Sequence, residues 1–486
     1  MTRMKALLEK GVRISLEAEK LSESASLSLE ELLSLQKNFI TEEDVRLLIE
    51  KRNEDKKKEA PLDAEQKAKF IPPSDFHPLA KEYEPSIHVH EKTDITGKSR
   101  SGGTVDDFVA YFRDRFQRIS RLLSLYSSKY PETDLKDIKK HENQKVKSIV
   151  MVTDIRITKN GNILMDVEDL EGKFKILFTQ RDAETFEKAR LIVRDDIIAA
   201  FGKVTSAFLI VEEFEWPDMP VTRDKKVCEK DVAAAYISDI HFASNKFIPQ
   251  YLDGFVEWLH GKRENPELAG KVKYVVVAGD IVDGIGIYPN QERELTVKDI
   301  FKQYELFDAF VESLPDYIEV IAGPGNHDAV RRGEPMPAMG KDLIKSDVHL
   351  IGSPCMATIE TSDHLIYHGT STDSWIASVP KLSYSKPEMV MVECLKRRHL
   401  STIFGGNAIV PERMDYMLIE KEPDILHFGH VHKNGYTKYR GTLVINSGTF
   451  QGTTDFQLKQ GHIPTPGRVP VYEFAKDALK TLDFSR

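Results

Sequence analysis

Cysteine is scarce and scattered: Cys228, Cys355 and Cys394 are the only three in 486 residues. An odd number at such separations argues against a disulfide framework or a thiolate zinc site, and it suits a reducing compartment. Long apolar runs are missing as well. No stretch approaches the ~18 consecutive apolar residues of a membrane-spanning helix, so no membrane association is expected. Residues 1–20 interleave Lys, Arg and Glu with Leu and lack the apolar core and cleavage site of a secretory signal. A cytoplasmic location is expected. Positive charge is in deficit: 68 Lys and Arg face 77 Asp and Glu, for a net charge of −9. A free-standing nucleic-acid binder usually has the opposite balance. Any role on DNA would therefore draw its positive charge from metals, local patches or a partner.

What is present divides the chain. Residues 1–52 read as a small helical module, with capping-box starts at Ser28-x-x-Glu31 and Thr41-x-x-Asp44 ahead of apolar residues at helical spacing. Residues 53–103 read as a flexible linker, with the Lys56-Lys57-Lys58 run, five prolines from Pro61 to Pro85 and a Ser/Gly-rich end. Thr104-x-x-Asp107 opens a helical connector over 104–143. Its face of Phe108, Tyr111, Phe112, Phe116 and Ile119 is expected in a core; Arg113, Arg115, Arg118 and Arg121 are expected in solvent. Residues 144–225 hold five strand-like runs with turn signals at Asn160-Gly161 and Glu171-Gly172, and a helical piece at 183–190. That pattern predicts a five-stranded barrel of the OB type, structural or partner-binding at least as readily as DNA-binding. From 231 to 486 apolar strand runs alternate with helical segments, the mark of a layered α/β domain. The C-terminal run 469–474 reads as an edge strand.

Within that last domain five blocks follow in order: Ser238-Asp239-Ile240-His241, Gly279-Asp280, Gly325-Asn326-His327-Asp328, His368-Gly369 and Gly429-His430-Val431-His432. Each falls at or just after the carboxyl end of an apolar run, where active sites collect in layered α/β folds. Asp239 and His241 are one residue apart. In an extended strand they would share a face and could grip one cation, and His430 and His432 have the same spacing. Asp280 has two carboxylate oxygens with which to bridge two metals, and Asn326 adds a neutral carbonyl oxygen. Mixed oxygen and imidazole donors suit Mn, Fe or Zn better than Mg or Ca. Two such ions about 3.5–4 Å apart would activate a water and clamp a phosphate. His327 is placed to reach the phosphate or protonate the leaving oxygen. Asp328 is expected to cap a following helix or orient that imidazole, capping being the commoner role. A lone block is ordinarily a turn or a core histidine; the ordered set is not. His349, His364, His399, His427 and His462 lack this context and read as packing or surface residues.

The ordered blocks resemble the calcineurin-like metallophosphoesterase superfamily. The stretch from Gly279-Asp280-Ile281-Val282-Asp283 to Tyr288-Pro289 narrows this, as do Asn446 to Gln451, Thr454 to Gln457 and Pro464-Thr465-Pro466-Gly467. These resemble the small, exonuclease subunit of archaeal family D DNA polymerase, as does a barrel directly before the phosphoesterase domain. The resemblance covers roughly residues 104–486. It implies a layered β-sandwich phosphoesterase domain. One metal would be held by Asp239, His241, Asp280 and His432, the other by Asp280, Asn326, His368 and His430, with His327 as general acid. Manganese is the expected metal, with Fe, Zn or Mg as alternatives. The implied reaction is 3′→5′ hydrolysis of DNA, preferring single-stranded or mismatched ends, beside a large polymerase subunit at the nucleoid. A sliding clamp is a further candidate partner. Related eukaryotic subunits have lost ligands; no ligand is missing here, and no independent polymerase motif is seen. The alternatives are a silent scaffold subunit and a stand-alone metallophosphatase. Nothing in the sequence singles out a DNA-binding residue.

Overall fold

A computed structural model of the chain describes residues 7–8, 10–25, 27–35, 37–49, 72–125, 130–224, 227–454, 457–458 and 461–486. The chain forms two compact units, Met1–Ala68 and Lys69–Arg486. In the first, β1 (Arg13–Ile14) pairs in parallel with β2 (Phe39–Ile40), and α1 (Leu16–Ser24) and α2 (Leu29–Leu33) lie between them in sequence. Residues 42–49 are helical too. Both capping boxes form: the Glu31 N–H donates to Ser28 Oγ at 3.1 Å and the Thr41 N–H to Asp44 Oδ2 at 2.9 Å. Leu7, Ala18, Leu27, Leu32, Ile40 and Val45 make a buried core. The strand pair was not expected from the helical periodicity.

The linker expected over 53–103 is corrected in its second half. Lys56-Lys57-Lys58 and Pro61 lie outside the described residues. Beyond them β3 (Ile87–Val89) adds to the edge of a sheet, and the buried Asp94 carboxylate accepts the Gly352 and Thr96 N–H groups at 2.9 and 2.8 Å. The prolines that break helical periodicity are compatible with this extended strap, because an edge strand needs pairing on one side only.

Next comes α3 (Val105–Ser124), closed at its start by a Thr104–Asp107 capping box. Arg115 corrects the expectation of a solvated arginine face. It is buried, donating to Asp415 Oδ2 at 2.6 Å, the Thr402 carbonyl at 2.9 Å and the Tyr111 hydroxyl at 2.8 Å. A period-based reading assigns charge to solvent and has no means of seeing a buried acidic partner 300 residues away.

Five strands follow: β4 (Lys145–Ile157), β5 (Ile163–Glu168), β6 (Lys173–Phe178), β7 (Ile197–Val204) and β8 (Leu209–Glu215), with α4 (Ala183–Ala189) between the third and fourth. They close into a barrel in the order β4-β5-β6-β8-β7, sealed by the parallel β6–β8 pair. Alternate residues fill it, among them Val146, Val150, Met165, Ile176 and Phe214.

The remaining strands are β9 (Ala233–Ile237), β10 (Val272–Ala278), β11 (Glu319–Gly323), β12 (His349–Leu350), β13 (Cys355–Ile359), β14 (Ser362–Ile366), β15 (Ile425–Phe428), β16 (Asn434–Tyr439), β17 (Thr442–Ser447), β18 (Arg468–Glu473) and β19 (Ala478–Asp483). They form two mixed six-stranded sheets, β12-β11-β10-β9-β18-β19 and β16-β17-β15-β14-β13-β3. Tyr236, Tyr274 and Val276 of the first meet Ile366, Ile425 and Ile445 of the second in one buried layer. The alternate residues Leu365, Leu426 and Val444 face outward and pack against Val390, Met391 and Leu395 of a helix, Pro387–Arg397. The run at 469–474 is not an edge strand: β18 pairs with β9 on one side and β19 on the other. Arg397 ties this domain to the barrel through buried Asp196, Nε to Oδ1 at 2.9 Å.

Candidate metal centre

The parallel strands β9, β10 and β11, with β14 and β15 of the facing sheet, all end at one place. Asp239 and His241 follow β9, Asp280 follows β10, Asn326 and His327 follow β11, His368 follows β14, and His430 and His432 follow β15. The residues do not converge by strand alternation as expected. Asp239, His241, Asp280, His430 and His432 have φ between 49° and 70°, so the strands have already ended and left-handed turns aim the side chains. Two glycines make room. A Cβ on Gly325 would lie 2.2 Å from Asp280 Oδ1, and one on Gly429 would lie 2.5 Å from Asp239 Oδ2.

The predicted residues come together. The ligand atoms of Asp239, His241 and His432 all lie within 4.8 Å of one another, as do those of Asp239, Asp280 and His368. His241 Nε2 is 3.1 Å from His432 Nε2 and 3.7 Å from Asp280 Oδ2. His368 Nε2 is 3.3 Å from Asp280 Oδ2 and 3.0 Å from Asn326 Oδ1, which is also 3.1 Å from His430 Nδ1. Asp280 lies between His241 on one side and His368 on the other. His327 stands beside the cluster, its ring 4.7 Å from that of His241 and its Nδ1–H donating to the Asp283 carbonyl at 2.8 Å.

The donor set fits divalent cations. The outer nitrogen of three imidazoles is committed to a protein oxygen: His241 Nδ1 to Asp283 Oδ1 at 3.0 Å, His368 Nδ1 to the Ala278 carbonyl at 2.8 Å, and His430 Nε2 to Asp373 Oδ2 at 3.0 Å. In the neutral imidazole each inner nitrogen then presents a lone pair to the cluster. Charge tells the same story. Burial disfavours the charged form of His368, yet the Asp280 carboxylate overrides it and pushes the imidazole up to about 10. Burial likewise opposes the charge on Asp280, and the His368 and His327 imidazoles more than offset it, holding the carboxyl well below its usual range. Of the two facing nitrogens, His241 is pushed up to about 8 by the Asp283 and Asp280 carboxylates against the pull of burial, while burial pushes His432 down. A cluster that draws in cations this strongly is the electrostatic counterpart of a metal site.

These features coincide with what the chain is similar to. The calcineurin-like phosphoesterase family matches residues 234–434. The DNA polymerase II small subunit of Methanocaldococcus jannaschii is 38% identical over 411 residues, covering 82% of this chain and 68% of that one. That of Archaeoglobus fulgidus is 39% identical over 394 residues, covering 80% and 79%.

The chain belongs to the archaeal DNA polymerase small-subunit family.

Among solved structures, an archaeal phosphodiesterase is 17% identical, covers 52% of this chain and 99% of its own, and has a TM-score of 0.26. This polymerase small subunit carries a calcineurin-like phosphoesterase domain, and that domain implies divalent metals.

Several residues that hold the cluster carry no role in the sequence reading. Asp283, which holds His241, lies in a stretch that carries the family resemblance, as does Gln457. Asp373, near the start of α5 (Thr372–Ser378), holds His430, and its own partner is the Tyr384 hydroxyl at 2.7 Å. The Gln457 amide meets His432 Nδ1 at 2.8 Å. Asp328 does neither job expected of it. No helix follows, and its carboxylate accepts the Gly325 N–H at 2.8 Å and the Tyr304 hydroxyl at 3.1 Å, stapling the loop. His462 is corrected from ordinary packing: it lines the cavity over the cluster, a space of about 540 Å³. His427 does pack, its ring 5.0 Å from Tyr236 and its Nε2 3.0 Å from Ser447 Oγ.

Proposed function

We propose that this small subunit is a two-metal 3′→5′ exonuclease that removes terminal nucleotides for an archaeal replicative polymerase. The observation that supports it most is the convergence of Asp239, His241, Asp280, Asn326, His368, His430 and His432 on one place, where His241, Asp280, Asn326, His430 and His432 line a single cavity with His327 at its side. One cation would sit among Asp239, His241, Asp280 and His432, and a second among Asp280, Asn326, His368 and His430. Manganese is the preferred metal. Bound there, the cations supply Lewis acidity toward the phosphodiester and an activated water. The protein's part is to hold seven donors in place and to deliver a proton. His327 keeps its Nδ1–H on the Asp283 carbonyl, so Nε2 is free to take up a second proton, and as the imidazolium His327 would pass that proton to the departing 3′-oxygen and return to the neutral form.

The partner is the large polymerase subunit of a heterodimer, consistent with the names of the relatives and with a chain of net charge −9 that borrows its grip on DNA. We take the five-stranded barrel to be of the OB type, serving a structural or partner-binding role at least as readily as a DNA-binding one. A location at the nucleoid follows from the proposed substrate.

The test gives purified protein and Mn²⁺ a 5′-labelled single strand, with His327→Ala and a small phosphomonoester as controls. Stepwise loss of nucleotides from the 3′ end is expected, slowed about 10²–10⁴-fold by His327→Ala. No DNA cleavage, alone or with the large subunit, refutes the exonuclease and leaves a scaffold. Turnover of the monoester alone makes it a phosphatase.

A further inference from the structure

The cavity is larger than its chemistry requires. At about 540 Å³ it falls within the ~300–1,000 Å³ range of small-molecule sites, whereas the candidate ligands that line it, His241, Asp280, Asn326, His430 and His432, occupy only its floor. Its upper walls are aromatic and acidic. Tyr288 stands on the His327 side, ring centroids 6.4 Å apart, with its hydroxyl on Glu294 at 3.2 Å. Tyr384 stands on the His430 side. Among the described residues that line the cavity there is no lysine or arginine.

That lining selects a kind of ligand. A second phosphate on the upper wall would meet Glu294 and Asp373 with no lysine or arginine to receive it. An uncharged flat group would meet a ring. The chemistry that combines one phosphodiester at the floor with an uncharged aromatic body on the wall is that of a strand's terminal nucleotide. Of the two tyrosines, Tyr384 is the more closely braced. Its hydroxyl donates to Asp373 Oδ1 at 2.7 Å, and its ring meets the His462 ring edge-on at 4.1 Å. Asp373 in turn holds His430, so the ring is tied to a metal-ligand position through two hydrogen bonds. A pre-ordered ring loses little conformational entropy when a base stacks on it.

We propose that Tyr384, braced by His462 and Asp373, is the stacking wall for the 3′-terminal nucleobase. This rests on the exonuclease reading and names the subsite by which that activity would hold its substrate. Stacking on one ring face is tolerant of base identity, because every base has a π-face.

The experiment compares the full chain with Tyr384→Leu, Tyr384→Phe and Tyr288→Leu. One substrate is a single strand with an ordinary 3′-terminal nucleotide, the other ends in an abasic residue. The third probe is a strand with 2-aminopurine at its 3′ end and a phosphorothioate terminal linkage, followed by fluorescence with Mg²⁺. Tyr384→Leu is expected to raise KM on the ordinary end about 10-fold and to leave the abasic end unchanged, with Tyr384→Phe close to wild type. The 2-aminopurine signal is quenched by wild type and not by Tyr384→Leu. Equal effects on both ends, or an effect of Tyr288→Leu in place of Tyr384→Leu, overturn the subsite while the exonuclease stands. Tyr384-dependent quenching by a wild type that cuts nothing upholds the subsite and removes the exonuclease. Neither cleavage nor quenching removes both.

Discussion

Asp283→Asn is the most informative single change outside the ligands. The Asp283 carboxylate receives three donors on two oxygens: His241 Nδ1 at 3.0 Å, Gln451 Nε2 at 3.2 Å and Gln291 Nε2 at 3.1 Å. Asparagine offers one oxygen and turns an NH₂ toward the donors on the other side, so at least one buried donor loses its acceptor and His241 loses its counter-charge. A hydrogen bond to a charged group contributes about 1.5–3 kcal/mol. Outer partners of metal-binding histidines are typically worth about 10–100-fold in metal affinity, or about 1.4–2.7 kcal/mol. The two routes agree, so Mn²⁺ affinity at the His241 position should fall about 10–100-fold. Calorimetric titration of wild type and variant measures it. The position built on Asn326, His368 and His430 makes no contact with Asp283 and should keep its affinity. Unchanged binding at both positions, or equal weakening at both, would refute the claim that Asp283 acts by fixing the His241 imidazole.

Three further outcomes follow from the same contacts. Arg115→Met leaves Asp415 buried beside a neutral group and strips the Thr402 carbonyl of its donor, so urea unfolding should show a loss of about 3 kcal/mol; a loss under about 1 kcal/mol would mean the pair contributes little. Because His368 and His241 are pushed up to about 10 and about 8, a metal must displace their protons at lower pH, and these imidazoles lose them unaided only as pH rises through those values. Mn²⁺ affinity should therefore climb steadily between about pH 6 and pH 8, and a flat profile would contradict the charge balance described. A chain beginning at residue 104 lacks β3 and the Asp94 carboxylate that Gly352 uses, and it should melt below one beginning at residue 72.

The convergence of the candidate ligands was legible because its information is local: five short blocks, each at the end of an apolar run, in one order. The barrel was legible for a similar reason, since Asn160-Gly161 puts a glycine at φ 75° where a turn needs it. What failed depended on distant partners or on backbone shape. Helical periodicity assigns Arg115 to solvent, because Asp415 lies 300 positions away. Composition marks the strap at 87–95 as linker, because its burial comes from a sheet edge more than 250 residues later. His462 carried no motif, and only the return of the C-terminal segment over the cluster gives it a place. Strand alternation gave the right pairing of Asp239 with His241 for the wrong reason, since neither residue is in the strand.

That last error matters for how the centre works. Left-handed backbone at a non-glycine residue costs on the order of 1–3 kcal/mol and persists where surrounding contacts over-determine it. Here the contacts are reciprocal between the loops. The Asp239 N–H donates to the Gly279 carbonyl at 2.9 Å and the His241 N–H to the Asp280 carbonyl at 3.1 Å. The Phe450 N–H and the Thr449 hydroxyl both donate to the Asp239 carbonyl, at 3.1 and 2.7 Å. The His430 N–H closes the ring on the Asp239 carboxylate at 2.9 Å. Each ligand loop is thus held by another ligand loop, and the C-terminal segment locks the set from behind. The folding energy of two sheets is spent on a backbone shape that a bound cation would otherwise have to impose, so the binding energy of metal and substrate is left for the reaction.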